Sequence, residues 1–430
     1  MLTSSSVEAS NAKKFKYWQI RTMVATWVGY AMFFAIRKNL SMAMPGIQAE
    51  LGITREQLGI FLSLNGIMYG ISRFANGFIV HKFMARNFIS CGLFLCALCN
   101  FIFGSSSTLI VMGVIWVVHG WVQGMGWPPN SRLLPHWIPP QELATKMARW
   151  TTSNCVGAVV SNIVYGYIVV WSWRSVFYMP ATLALLVAAG IWLTIRDTPS
   201  SVGLPELSAG EDYEKTDDKK KKSAEYKQFI SKMVFKNPYI WIISVANFFV
   251  YILRFAILDW GPLLLKEWKG IALAKAGWTI ASFEISGAMG ILLCGWVTDK
   301  YFGGKGPRVC LITMMLASFF MFLFWYTIAA PVYVSIICLM CAGFCIYATQ
   351  SLILVTASNT ATKRAAAAAN GLVGIWGYAS VIVTGWMFGL LTDKFGWQTS
   401  FKFIIVTGFI GAIVLALAWK AKATGYDKLN

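Results

Sequence analysis

Runs of about twenty apolar residues recur from Trp18 to Trp419, each long enough to cross a bilayer as one helix. No other feature restricts the fold as strongly. In hydrocarbon, backbone N–H and C=O groups must be bonded within their own segment, so runs of this length become helices. Charged residues are 13% of the chain, against about 25% in soluble domains. The net charge of +19 would suit a nucleic-acid binder, but the basic residues gather at the ends of apolar runs. Lys13, Lys14 and Lys16 precede the first run, Lys82 and Arg86 follow the second, and Lys219 to Lys222 lie in a central polar segment. That is the positive-inside distribution of a membrane protein, and no nucleic-acid partner is expected.

Twelve segments can be counted: Trp18–Met44, Gln57–Val80, Asn87–Gly104, Thr108–Leu134, Glu142–Trp171, Val176–Ile195, Pro238–Leu265, Ala276–Asp299, Arg308–Ile328, Val332–Ser358, Ala365–Thr392 and Ser400–Trp419. Between the sixth and seventh lies the one long polar stretch, Arg196 to Lys236, with nine Lys or Arg and eight Asp or Glu. Such a composition cannot bury a core and reads as a linker. The expected organisation is therefore a tail at 1–17, a six-helix bundle at 18–195, a charged linker at 196–236, a second bundle at 237–420 and a tail at 421–430. The N-terminus is polar and has no apolar signal-peptide core before a cleavage site.

The two bundles carry a weak internal repeat. WSWRSVFYMP (Trp171–Pro180) resembles FGWQTSFKFI (Phe395–Ile404), and GFIVHKF (Gly77–Phe83) resembles GWVTDKY (Gly295–Tyr301). Matched positions lie 217 (Arg37, Arg254), 218 (Gly77, Gly295) and 224 (Trp173, Trp397) residues apart. The fold class expected is an all-α polytopic membrane protein, twelve transmembrane helices in two six-helix parallel repeats, which is the major facilitator architecture. Loops after even-numbered helices hold Lys82, Arg86, Lys300, Lys305 and Arg308, besides the linker lysines. Loops after odd-numbered helices hold few cations, chiefly Arg55, Lys266, Lys269 and Lys275, so both termini are expected on the cytoplasmic side.

Two cations break the apolar pattern. VGYAMFFAIRKNLSMAMPG (Val28–Gly46) places Arg37 and Lys38 within the first helix, and NFFVYILRFAILDWGP (Asn247–Pro262) places Arg254 within the seventh. A cation at membrane depth is costly and marks a functional site. Helical spacing sets Tyr30, Phe33, Phe34, Arg37, Ser41 and Met44 on one stripe, and Asn247, Tyr251 and Arg254 on another. Two guanidinium forks suit a phosphate group, which they bind bidentately while staying charged. The competing reading is that each arginine pairs with a buried carboxylate, for which Asp259 and Glu284 are the candidates. Asp259 lies five residues beyond Arg254, about 140° around the helix and off its face. Glu284 is placed to offset Lys38 or Arg254. Arg73, on the second helix, either lines a vestibule or reaches the interface. Gln123, Gly124, Gly126 and Pro128–Pro129 mark close helix packing and a soft break in the fourth helix. His81, His119 and His136 have no metal-ligand spacing, and Cys96/Cys99 and Cys338/Cys341 read as packing residues. No metal, cofactor or enzyme activity is expected.

These same residues resemble the organophosphate:inorganic phosphate antiporter family of the major facilitator superfamily. The likeness rests on Tyr30 with RKN (Arg37–Asn39) and AMP (Ala43–Pro45), and on the GW and QGMGWPP of Gly120–Pro129. It rests also on RDTP and GLP (Arg196–Pro199, Gly203–Pro205) and on Arg254 with Asp259 and Trp260. The resemblance covers nearly the whole chain. It implies that Arg37 and Arg254 bind phosphate, with Tyr30, Tyr251 and Tyr347 as ligand tyrosines. It also implies that Arg73 and Glu284 take the places of the family's second-helix basic residue and eighth-helix glutamate. The family's glycerol-phosphate carriers have a ligand-contacting histidine where this chain has Asn154, a departure that favours a hydroxyl-rich sugar. His81 stands where the family's loop motif has an acid. The expected substrate-binding set is thus Arg37, Arg254, Tyr30, Lys38, Gln123, Trp150, Asn154, Tyr251 and Tyr347, with Arg73, Asp259 and Glu284 as electrostatic or gating residues. The function implied is exchange of a hexose 6-phosphate for inorganic phosphate by rocker-switch alternating access, by a monomer in a bacterial inner membrane. The alternatives are a membrane sensor of hexose phosphate and an antiporter of glycerol 3-phosphate.

Overall fold

The computed structural model describes residues 4–205, 228–302, 306–327, 329–361 and 365–419. Thirteen α-helices and short 3-10 and π turns make up the secondary structure there, and among the described residues there is no strand. The helices are α1 (Ser4–Leu51), α2 (Arg55–Ile79), α3 (Ala85–Ser105), α4 (Leu109–Gln123), α5 (Trp127–Trp137), α6 (Pro140–Ile168) and α7 (Ser175–Thr194). After the central segment come α8 (Pro238–Lys269), α9 (Leu273–Phe302), α10 (Gly306–Tyr326), α11 (Val332–Ala361), α12 (Ala366–Ile382) and α13 (Phe388–Leu417).

Thirteen helices make twelve spans because breaks and spans do not coincide. α4 and α5 form one span, interrupted where Gly124, Met125 and Gly126 bond three residues back instead of four. The QGMGWPP sequence explains the break, since Pro128 and Pro129 can only open a new helix. α12 continues through a π turn (Val383–Met387) into the first turns of α13. Gly396, with φ 74° and ψ 171°, then separates the eleventh span from the twelfth. Nine stretches among the described residues are long and apolar enough to cross a membrane by composition, the last of them holding two spans. α1 and α6 are not among these, and they are the helices with Arg37, Lys38 and the polar run Thr151–Asn154. The outer faces are apolar: Ile110 is 75% and Leu292 74% exposed, as expected of surfaces covered by acyl chains.

The chain forms two compact units. The first comprises Met1–Gly46 with Leu64–Asp212, and the second Ile47–Ser63 with Tyr213–Asn430. In the first, Tyr30, Phe33, Ile36, Leu93, Trp137 and Trp150 belong to one buried cluster. Asn39 of the RKN triplet is structural: its Nδ2 donates to Asn100 Oδ1 at 2.5 Å and to the Val176 carbonyl at 3.3 Å, tying α1 to α3 and α7. Arg196–Pro205, expected as the start of the linker, is instead fastened to this unit. Asp197 accepts from the Ala85 and Arg86 N–H groups (2.5 and 3.1 Å), and the Arg196 carbonyl accepts from Trp137 Nε1 (2.9 Å). The charged part of the linker, 206–227, and the tail at 421–430 lie outside the described residues.

In the second unit, α9 and α11 approach closely, because a Cβ at Gly290 or Gly343 would collide with the Phe344 or Phe283 carbonyl. The segment Ile47–Ser63, the end of α1 and start of α2, is seated here as well. Arg55, Gly59 and Ser63 fall at i, i+4 and i+8 along α2, against Gly385, Gly389 and Asp393 at the same spacing. Glycines allow the two backbones to touch, as small residues do between membrane helices.

Candidate functional site

Arg254 stands half-buried on α8 at the centre of a hydrogen-bonded chain of side chains in the second unit. Its Nη2 donates to Tyr347 Oη at 3.0 Å and its Nη1 to Gln350 Oε1 at 2.9 Å. A guanidinium only donates, so the Gln350 oxygen must face it, and the Gln350 nitrogen then donates to Tyr251 Oη at 2.8 Å. Tyr347 Oη in turn donates to Glu284 Oε2 at 2.5 Å, and Glu284 is only 4% exposed. The guanidinium carbon lies 4.3 Å over the Tyr347 ring. Arg254 Nε is buried and has no hydrogen-bond partner. Thus the fork is oriented by neutral groups, Glu284 balances it through a phenol, and one donor stays unpaired.

Local packing explains how these side chains converge. Tyr347 and Gln350 occupy successive positions on one face of α11, three residues apart. A Cβ at Gly287 would lie 2.5 Å from Tyr347 Cδ2, so glycine is needed for the ring to lie against α9, one turn past Glu284. Asn237 caps α8, accepting from Tyr239 N at 3.1 Å, and Gly270 (φ 69°) ends it. Asn247 Nδ2 donates to the Val373 carbonyl at 2.9 Å, joining α8 to α12 beside Tyr251.

In the first unit, along α1, Tyr30, Phe33, Ser41 and Met44 are buried, and Phe34 and Arg37 half-buried. The Arg37 guanidinium lies 4.0 Å over the Tyr69 ring of α2, a cation–π arrangement. Tyr30 stacks on Trp150 of α6 at 4.8 Å, and Trp127 closes an aromatic triangle at 5.7 Å from Tyr30 and 5.6 Å from Trp150. Arg73 sits 5.0 Å over Trp127. Gly157 permits this packing, since a Cβ there would collide with the Ala31 carbonyl of α1. Asn154, one helical turn beyond Trp150, holds a buried Oδ1 with no hydrogen-bond partner. Gln123 Nε2 donates to the Phe33 carbonyl at 3.2 Å and lies 3.3 Å from His119 Nε2, whose other nitrogen is 3.3 Å from Asn65 Nδ2.

Each expected site residue can now be placed. Tyr251, Arg254, Tyr347 and Glu284 form one network in the second unit. Tyr30, Trp150 and Arg73 meet around Trp127 in the first, with Asn154 one helical turn from Trp150. Gln123 bonds to the α1 backbone and so positions the helix that bears Arg37. Lys38 is half-buried beside Arg37. Asp259 is buried further along α8, 8% exposed. Gln350 and Tyr69 were not singled out by the sequence, and Trp127 only as a member of the QGMGWPP motif. The nine cysteines are free, with Cys96, Cys99 and Cys338 buried, and no cluster among the described residues has the makings of a metal site. The side chain of His81 lies outside those described.

Comparison with known proteins bears on the family and the fold. The family model for the Major Facilitator Superfamily matches residues 26–385. A probable hexose phosphate transport protein of Chlamydia pneumoniae is 32% identical over 422 residues, covering 95% of this chain and 93% of that protein. The glycerol-3-phosphate transporter of Bacillus subtilis (strain 168) is 33% identical over 415 residues, covering 94% and 93%. The membrane sensor protein UhpC of Escherichia coli (strain K12) is 31% identical over 410 residues, covering 94% and 92%. Among solved structures, an inward-facing, unoccupied bacterial homologue of the human lysosomal transporter Spinster shares the fold, with a TM-score of 0.78 at 15% identity over 94% of this chain and 97% of that one. Fold and relatives together define an all-α membrane transporter, not an enzyme. The chain belongs to the major facilitator superfamily and, within it, to the organophosphate:inorganic phosphate antiporter family.

Proposed function

We propose that this transporter exchanges a sugar phosphate, a hexose 6-phosphate, for inorganic phosphate by alternating access, acting as a monomer in a bacterial inner membrane with both termini cytoplasmic. The observation that carries the reading is Arg254, a membrane-depth cation held by Gln350 and Tyr347 with its Nε still unpaired. An oxyanion would supply the missing acceptor. Arg37, half-buried over Tyr69, is the corresponding cation of the first unit and a second candidate for anion binding. The aromatic triangle of Tyr30, Trp127 and Trp150 offers apolar faces for a sugar ring, and the unpaired Asn154 Oδ1 offers an acceptor for a sugar hydroxyl. The names of two relatives, a hexose phosphate transport protein and a glycerol-3-phosphate transporter, support the ligand class.

The test is uptake of labelled glucose 6-phosphate into proteoliposomes with and without internal phosphate. Uptake that depends on internal phosphate is the expected result. Uptake independent of it would overturn the exchange mechanism. Binding without uptake would favour a sensor, a reading to which the 31% identity with UhpC lends weight. Asn154→Ala separates the sugar from the phosphate. It is expected to raise KM for glucose 6-phosphate by about tenfold, one hydrogen bond's contribution, and to leave phosphate–phosphate exchange within twofold. An equal loss in both assays would assign Asn154 to packing.

A further inference from the structure

α3 and α7 pack together in the first unit, and toward the end fastened by Asp197 they part to form a groove of about 550 Å³. Asn87, Ser90 and Phe94 line it from α3, and Ala188, Ala189 and Trp192 from α7. Spacings of three and four residues put each set on one helix face. The small side chains of Ala188 and Ala189 make the hollow, and the large ones at Phe94 and Trp192 form its ends. The surrounding surface is apolar, with Leu98, Leu186 and Leu193 exposed, so the groove opens where acyl chains cover the protein.

One end of the groove is cationic. Arg86 holds its guanidinium 5.7 Å over the Trp192 ring, and the exposed Lys82 ends the 3-10 turn (Val80–Lys82) that precedes α3. The acid at this end, Asp197, is already engaged, accepting from two backbone N–H groups at the start of α3. Ser90, on the groove wall, buries a hydroxyl that has no hydrogen-bond partner. From Asn87 to Phe94 the wall runs about 10 Å at the helical rise, a large part of the roughly 15 Å depth of one leaflet.

We propose that this groove binds an anionic phospholipid, with its phosphate at Arg86 and Lys82 and one acyl chain along Ala188 and Ala189. Charge selects the headgroup and the hollow selects a chain, so neither a free phosphate nor a neutral lipid satisfies both features. Basic residues beside a bilayer each strengthen binding of anionic lipid about fivefold.

Native mass spectrometry of the full chain, titrated with phosphatidylglycerol or phosphatidylcholine of matched chains, tests the assignment. Phosphatidylglycerol is expected to bind at least tenfold more tightly. Arg86→Ala with Lys82→Ala should remove that preference while leaving the thermal melting of the protein in detergent unchanged. Ala189→Trp should fill the hollow and lower retention of both lipids at least fivefold. Equal retention of the two lipids by the unaltered protein would overturn the proposal. So would full retention by Ala189→Trp, which would reduce the charge effect to attraction at the membrane surface.

Discussion

Arg254→Lys is expected to lower glucose 6-phosphate/phosphate exchange at least 100-fold while the protein still folds and inserts. Lysine keeps the positive charge but offers one flexible ammonium in place of a planar fork. In the native site, Nη1 and Nη2 are engaged by Gln350 and Tyr347, which fixes the plane of the guanidinium and the direction of the unpaired Nε. An ammonium cannot satisfy both partners and also present a donor along that line. Each charge-assisted hydrogen bond lost contributes about 1.5–3 kcal/mol, so the loss of two exceeds a factor of 100. Tyr347→Phe should cost less, about tenfold, because it removes only the hydroxyl that links Arg254 to Glu284. Initial exchange rates in phosphate-loaded proteoliposomes decide the matter, with phosphate binding measured calorimetrically on the same samples. Arg37→Lys should behave as Arg254→Lys does. Wild-type exchange in both lysine variants would show that charge alone suffices and would sink the two-fork model.

The spans and the two arginines were legible because they are extremes of composition. A twenty-residue apolar run has few alternatives to a helix in lipid, and a lone arginine within such a run stands out without any knowledge of its surroundings. The break in the fourth span was legible too, since the GMGWPP sequence forces it wherever it occurs. Gln350 was not. A neutral amide in an apolar helix leaves little mark on hydropathy, and its importance arises from Arg254 and Tyr251, about a hundred residues away in the chain. Tyr69 was hidden in the same way, since aromatic residues are common in every span, and Trp127 stood in the QGMGWPP motif without a role of its own. Between Asp259 and Glu284, single-helix geometry could address only Asp259, which shares α8 with Arg254. Only tertiary packing could show that Glu284 acts through a tyrosine. Arg55 stands out in the sequence merely as a minor exception to the charge bias of the loops, although it is the centre of a cluster with Glu267 and Asp393.

Arg55→Glu is expected to abolish exchange and to raise the reactivity of a thiol placed at position 63 about thirtyfold. Arg55 binds Glu267 at 2.6 Å and Asp393 at 3.1 Å, with each of the three side chains about a quarter exposed. Asp393 also accepts from the Glu56 N–H at 2.7 Å, so it caps the start of α2. Trp397 donates to Glu267 at 2.8 Å and Trp386 to Glu56 at 3.2 Å. Below these groups the glycine contacts of Gly59, Gly385 and Gly389 leave no room for adjustment. A carboxylate at position 55 would face two others and lose every bond the guanidinium makes. Removing a partner from a buried pair costs about 3–5 kcal/mol, and partial exposure reduces this to about 2 kcal/mol. That corresponds to about thirtyfold in the equilibrium between a seated and an unseated Ile47–Ser63 segment. If the proposed alternating access seats and releases this segment in each cycle, a bias this large traps one state. Ser63→Cys, in a background with the exposed Cys91 replaced by Ser, reports seating directly, because Ser63 is buried against the Val381 carbonyl. Reversing the pair with Arg55→Glu and Glu267→Arg together should restore part of the protection and part of the exchange. Unchanged reactivity of the thiol in Arg55→Glu would mean that the glycine contacts alone hold the segment, and the ion pairs would then have no part in gating.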